Sequence, residues 1–412
     1  MPEDLIRSSA RRPLAGIVVV AAFVLGAGAL SASSLGHRPS QRHAAPLALG
    51  EPPSTPRVTV IPGGFTVHVH GPVPPGASLS VRSEPPGVGC VTVTTTCTII
   101  NPAATTRFRL QAAVVVGDLT GPWSALSDPV RVASIVVVAG QSNALGTESW
   151  ANDPSTGSSV FGHGRGSAAD AMTTIVWKEP PGMTPPESSS PVGTAVPLTT
   201  PQTELASPLY PGGVIIGPEV GLARGFGDAG IRHVTIVKVA FGGSSLNNPF
   251  EWRPRVGPYY QALVTVVTKT LEVDAAMGVV GSIRAINWYQ GESEALHPHQ
   301  DDRYALHLAT LVDDLREDLP IAASTPFVLA QESVANVIGN YRFFKFCTAS
   351  SCDSLAASDS AVRSADVWVA SHREHVAVVD TKSLQREGVQ IHLSRQGEIS
   401  LGWKLATADL HQ

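Results

Sequence analysis

From residue 134 onward the sequence alternates short β-branched runs with helix-length segments, and this alternation restricts the fold more than any other feature. The runs are 134–139, 233–240, 282–289, 327–331 and 376–380. Helical spacing falls between them, at 219–227, 259–277, 303–319 and 361–372. In 303–319 the apolar Tyr304, Leu308, Leu311, Val312 and Leu315 share one face, with Asp301 and Asp302 at its positive end. Strands separated by helices predict an α/β domain, a doubly wound parallel sheet, over 134–412. Residues 151–211, rich in Ser, Thr, Pro and Gly, read as a long excursion of the kind that shapes a binding site or moves.

The texture ahead of residue 134 is different. Residues 33–55 lack any period and read as a linker. Between 56 and 133, short alternating runs at 57–61, 65–70, 78–82, 91–95, 107–115 and 130–132 are separated by Gly- and Pro-rich turns, which predicts an N-terminal all-β sandwich. Its ending, GPWSALSDPVRV (121–132), resembles the closing strands of fibronectin type III modules. Arg7, Arg11 and Arg12 precede an uncharged apolar run at 14–30, and Ala27-Gly28-Ala29 offers a small-x-small cleavage site. Residues 1–32 therefore read as a secretory signal, or as an anchor if uncleaved, and the protein as exported. The four cysteines form two close pairs, Cys90/Cys97 and Cys347/Cys352, as expected of two local disulfides in such a compartment, the first stapling a hairpin. A net charge of −5 without a basic block argues against a nucleic-acid partner.

Four polar segments leave strand ends on one rim. Gly140-Gln141-Ser142-Asn143 follows the first run, and a serine there either caps a helix or faces the ligand crevice. Phe241-Gly242-Gly243-Ser244-Ser245 follows the second and lets backbone N–H groups approach a ligand. Gln290, Glu292 and Glu294 follow the third, and His392 comes after the last. Ester hydrolysis needs a nucleophile, a base and donors aimed at the oxyanion. Ser142, His392, and the donors Ser142 N–H, Gly243 N–H and Gln290 can supply them. Gln141, Asn143, Trp252 and Tyr289 are the expected substrate contacts, with Trp252, Trp288 and Tyr289 an aromatic platform near the rim. No ligand spacing calls for a metal or cofactor: His68 and His70 lack a third partner, and His297, His299, Asp301, Asp302 and His307 read as a solvated rim. His372 and His375 close a helix, where positive charge is favourable.

The segments GQSN (140–143), GPEVGLARGF (217–226), KVAFGGSSL (238–246) with Trp252-Arg253-Pro254, WYQGESEA (288–295) and IHLSRQGEISLG (391–402) resemble the sialate O-acetylesterase and acetylxylan esterase group of SGNH hydrolases. The resemblance implies a flavodoxin-like sheet, a catalytic Ser142, a base at His392, and oxyanion positions at Gly243 and Gln290. The implied activity is removal of acetyl groups from O-acetylated sugars without a metal. One position departs: the family usually has an aspartate three residues before the histidine, and here it is Val389, followed by the uncharged Gln390. Glu292 is the leading candidate to replace it, ahead of Glu294 and Glu387. Two further readings stay open: a lipase- or thioesterase-like enzyme of the same fold, and a catalytically weak glycan-binding protein.

Overall fold

The computed structural model describes residues 50–103, 107–146, 217–231, 234–297, 303–343, 345–386 and 391–412, and the backbone of 174–177 and 196–197. The expected signal segment, most of the linker and most of the 151–211 excursion lie outside the described residues, as do His299, Asp301, Asp302, Glu387, Val389 and Gln390.

Seven short strands come first: β1 (Arg57–Ile61), β2 (Gly64–His68), β3 (Ser78–Glu84), β4 (Gly89–Thr92), β5 (Thr96–Ile100), β6 (Arg109–Val116) and β7 (Leu119–Thr120). They form two antiparallel sheets, ordered β1-β2-β5 and β4-β3-β6-β7. Alternating residues of both, among them Phe65, Val67, Leu79, Val81, Leu110 and Ala112, close on one core, as half-buried strands with period two must. The run 91–95, expected as one strand, is divided: Val91 and Thr92 end β4, and 93–95 turn the chain into β5. Thr92 Oγ1 accepts from Thr94 N (3.2 Å), and Thr94 Oγ1 donates to Thr96 O (2.8 Å), the local bonding that lets threonine leave an extended ladder. Because β4 and β5 belong to different sheets, the Cys90–Cys97 disulfide ties one sheet to the other rather than stapling a hairpin. Cys347 and Cys352 are also bonded.

The next strand, β8 (Arg131–Gly140), runs unbroken across the expected boundary at 133/134. Its first residues pair with β12 (Val279–Tyr289), so the α/β sheet begins where the β-rich part ends. A side chain completes the junction. Asn101 Oδ1 accepts from Ile283 N (2.7 Å) and its Nδ2 donates to Ile283 O (2.9 Å), satisfying backbone groups at the β12 irregularity between Ile283 and Ala285.

The remaining strands are β9 (Thr174–Trp177), β10 (Val196–Pro197), β11 (Val234–Ala240), β13 (Phe327–Gln331) and β14 (Val376–Asp380), and the sheet order is β10-β9-β11-β8-β12-β13-β14. Every pairing is parallel except β10 with β9. Counting only β8, β11, β12, β13 and β14, the order is 2-1-3-4-5, which places the topological switch point between β8 and β12.

The helices are α1 (Ser142–Leu145), α2 (Glu219–Asp228), α3 (Pro258–Ala276), α4 (Glu292–Ala295), α5 (Tyr304–Asp318), α6 (Ala335–Phe343), α7 (Ala349–His372) and α8 (Arg395–His411). Both faces of β8 are covered. Ile135, Val137 and Ala139 pack with residues of α3, α5 and α7, whereas Val136 and Val138 pack with those of α2 and α8. Helices α2 and α8 cross at glycines: a Cβ on Gly221 would lie 2.0 Å from Ile399 O, and one on Gly402 would lie 2.0 Å from Pro218 O. No described helix is long and apolar enough to cross a membrane.

Several carboxyl groups are buried in this domain with little compensation. Burial raises Asp274 to about 6 and Asp409 to about 7, and pushes Glu332, Asp366 and Glu398 well above the usual carboxylate range. Each folded group holds its proton at a pH where the unfolded chain has released it. The stability they contribute is therefore complete below about pH 4 and is lost as pH rises through the folded values. Thermal melts followed by circular dichroism should show the Asp274 and Asp409 contribution disappearing between about pH 4 and 7. Asp409→Asn should flatten the upper part of that slope, and an unchanged slope in the variant would contradict the assignment.

Candidate active site

The turn after β8 is forced by contact with β12. Gly140 has φ +140°, and a Cβ there would lie 2.0 Å from Tyr289 O, so only glycine fits. Gln141 N then donates to Tyr289 O (2.9 Å), and Phe241 N donates to Gly140 O (3.0 Å), which ties together the ends of three strands. Ser142 opens α1 at this point, nearly buried, and a Cβ on Gly242 would lie 3.9 Å from its own Cβ. The rim of the switch point thus brings Ser142 beside the Gly242-Gly243 turn. The N–H groups of Ser142 and Gly243 donate to no backbone acceptor among the described residues.

Asn143 joins the other parts. Fully buried, it donates from Nδ2 to Glu292 Oε1 (2.6 Å) and to Ile391 O (3.2 Å), while its Oδ1 accepts from Leu393 N (2.9 Å). One side chain adjacent to Ser142 therefore holds Glu292 and both neighbours of His392. Glu292 is wholly buried; burial raises its pKa, and the Asn143 hydrogen bond and the charges of Arg386 and His392 pull it back down. Asn143 thus fixes Glu292 relative to the backbone on both sides of His392. Gly291, φ +136°, lets Glu292 follow the strand end so closely, since a Cβ there would meet Val362 at 2.7 Å.

Glu294, the weaker candidate for an orienting carboxylate, has another task. Its Oε1 accepts from Ser245 Oγ (2.7 Å), Leu246 N (2.7 Å) and Asn247 N (3.1 Å), and its Oε2 accepts from Gln290 Nε2 (2.5 Å). It braces the loop after β11, aided by Glu251, whose carboxylate accepts from Ser245 N and from Asn248 Nδ2 (2.8 Å).

Three expectations need correction. Gln290 Nε2 also lies 3.1 Å from Gln141 Oε1 and 3.2 Å from Ser244 O. With Glu294, these acceptors engage both of its hydrogens, so the Gln290 amide acts as a brace in this arrangement rather than as an oxyanion donor. Trp252 and Tyr289 offer no platform to a sugar. Trp252 is fully buried, donates to Ser244 Oγ (2.8 Å), and packs edge-on against Trp288 with ring centroids 4.9 Å apart. Tyr289 is buried with its hydroxyl toward Thr381 (3.4 Å). Gln141 and Asn143, expected as substrate contacts, are buried too. Gln141 Oε1 accepts from Gln290 Nε2, and Gly291 N lies at 3.4 Å.

Of the histidine-rich stretch, His297 Nδ1 meets Ser293 O (2.6 Å) and His307 Nδ1 meets Asn247 Oδ1 (2.7 Å). Among the described residues no group of three His, Cys, Asp or Glu side chains is placed to hold a metal ion. Sequence reasoning missed Asn143 as the clamp. Its only signal is position, since the residue after a nucleophile can face either substrate or the protein.

A family model, carbohydrate esterase, sialic acid-specific acetylesterase, matches residues 132–411. A probable carbohydrate esterase of Arabidopsis thaliana is 29% identical over 177 residues, 43% of this chain, and the chain spans 55% of that relative's length. The X-ray structure of an Arabidopsis thaliana protein aligns with TM-score 0.47 and 20% identity over 68% of this chain and 98% of its own. That of a carbohydrate acetylesterase from Xanthomonas citri aligns with TM-score 0.45 and 14% identity over 87% and 75%. With a match over more than half its length, the chain belongs to the carbohydrate esterase family of sialic acid-specific acetylesterases.

Proposed function

We propose that the protein is an exported O-acetylesterase of carbohydrates, with an SGNH-type catalytic domain and a fibronectin-like β-sandwich ahead of it. The observation that carries this reading is the Asn143 clamp, which holds Glu292 and both neighbours of His392 against the Ser142 turn. Ser142 Oγ attacks the acetyl carbonyl carbon while the His392 imidazole takes its proton. The oxyanion forms toward the N–H groups of Ser142 and Gly243. The carbon–oxygen bond to the sugar breaks as His392 returns the proton to the sugar oxygen. Water, deprotonated by the same imidazole, then attacks the acetyl-serine; the bond to Ser142 Oγ breaks as His392 returns the proton to that oxygen, and acetate leaves. Glu292, whose anionic form Asn143, Arg386 and His392 favour against the burial that raises its pKa, stabilises the imidazolium and replaces the aspartate absent at Val389. The two disulfides fit the extracytoplasmic setting.

The test is acetate release from O-acetyl sialic acid, acetylated xylan and a short synthetic acetyl ester, with Ser142→Ala in parallel. Release from an acetylated sugar that vanishes in the variant is expected. Preference for long acyl esters would move the assignment to a lipase-like enzyme. Sugar binding without acetate release would make the chain a glycan-binding protein.

A further inference from the structure

A four-residue helix does not hold itself together, because nucleation costs more than one turn of hydrogen bonds returns. The turn that carries Ser142 is such a helix, so its position depends on external anchors. Gln141 fixes its start on Tyr289 O, and Asn143 fixes its flank. Its end has a third anchor from an unexpected direction. Lys238 lies within β11, as the one charged residue of the run VTIVKVA, and is completely buried. Its Nζ donates to Leu145 O, the last carbonyl of α1, and pairs with Glu219 Oε2 at 2.8 Å, with neither side chain exposed. Glu219 opens α2, and its Oε1 accepts from Gly217 N (2.9 Å). A Cβ on Gly217 would lie 2.5 Å from both Glu219 Oε2 and Lys238 Nζ, so the backbone closes over the pair.

A cation at a helix C-terminus is favourable, yet two long charged side chains in a strand and a helix core are costly when well-packed apolar residues could fill the same space. The pair is better explained by what its ammonium touches. We propose that Glu219 and Lys238 are positioning residues that set the C-terminal end of α1 and thereby the attack geometry of Ser142. Glu219 keeps the ammonium in place; Lys238 holds Leu145 O. This inference rests on Ser142 being the nucleophile, and neither residue touches substrate.

The test compares wild type with Lys238→Met and with the pair Glu219→Gln/Lys238→Met, in the full chain. Lys238→Met leaves Glu219 buried without its partner and should lower Tm. The pair variant removes both charges and should recover much of that loss. Positioning predicts that kcat stays about a hundredfold below wild type in the pair variant, with KM within about twofold, because Leu145 O still lacks its donor. Crystal structures of wild type and pair variant should show Ser142 Oγ displaced. A pair variant that regains wild-type kcat together with Tm, or whose α1 superposes on wild type, would overturn the proposal. If wild type itself turns over no acetyl ester, the nucleophile reading fails. The displacement of α1 between the two crystal structures then still decides whether the pair positions that turn.

Discussion

Replacing His392 with alanine is expected to lower kcat/KM for acetyl-ester hydrolysis by about 10⁶-fold, the scale seen when one member of a serine–histidine unit is lost. Ser142→Ala should cost a similar amount, and the double variant little more, because the two groups perform one proton transfer and have no separable contributions. Folding should be almost unaffected. Ser142 sits in a turn fixed by backbone contacts at Tyr289 O and by the Asn143 side chain, none of which uses its hydroxyl. The position of the His392 backbone is set from outside by Asn143, through Ile391 O and Leu393 N. Steady-state kinetics on a short acetyl ester, with Tm measured for each variant, separates these outcomes. Additive losses would indicate that the residues act in different steps.

Glu292→Gln should reduce kcat on the order of 10⁴-fold, as when an orienting anion is replaced by its amide in a serine–histidine–acid triad. The amide keeps the shape but loses the charge that favours the imidazolium. The burial that raises the Glu292 pKa makes that charge matter, since a buried carboxylate stays ionised only where partners hold it. Asn143, Arg386 and His392 favour the anion against that burial. A fall of only a few-fold would make Glu292 a structural brace. In that case Val389→Asp should raise activity by restoring the missing anion. With Glu292 in the triad, Val389→Asp gives no gain.

Much of the fold could be read from local pattern. Strands β1, β13 and β14 coincide with the expected runs at 57–61, 327–331 and 376–380, the first two opened by a proline. What escaped was non-local. Strand β8 continues through 133/134 because β12 pairs with all of it, and no local signal at Ala133 reveals that partner. Helix α8 mixes Gly397, Glu398, Gly402 and Asp409 with Leu401, Leu405 and Ala406 on its buried face, so its apolar spacing is weak in the sequence. The site divides in the same way. Ser142 and His392 stand out from their segments, whereas aromatic residues near strand ends look the same in sequence whether they line a rim or a core. Trp252 and Tyr289 belong to the core. The polar residues of the GQSN and WYQGE segments, expected to meet substrate, mostly bond to one another. A lysine inside β11 and a glutamate opening α2 did carry a signal: buried charges need partners.

The most direct test of the central claim is to trap the acyl-enzyme. Wild-type protein mixed with a short acetyl ester and quenched in acid within the first turnovers should carry one acetyl group, located by peptide mass spectrometry on Ser142. The Ser142→Ala variant should carry none. Acetate release without acetylation of Ser142, or an acetyl group on another side chain, would contradict the account.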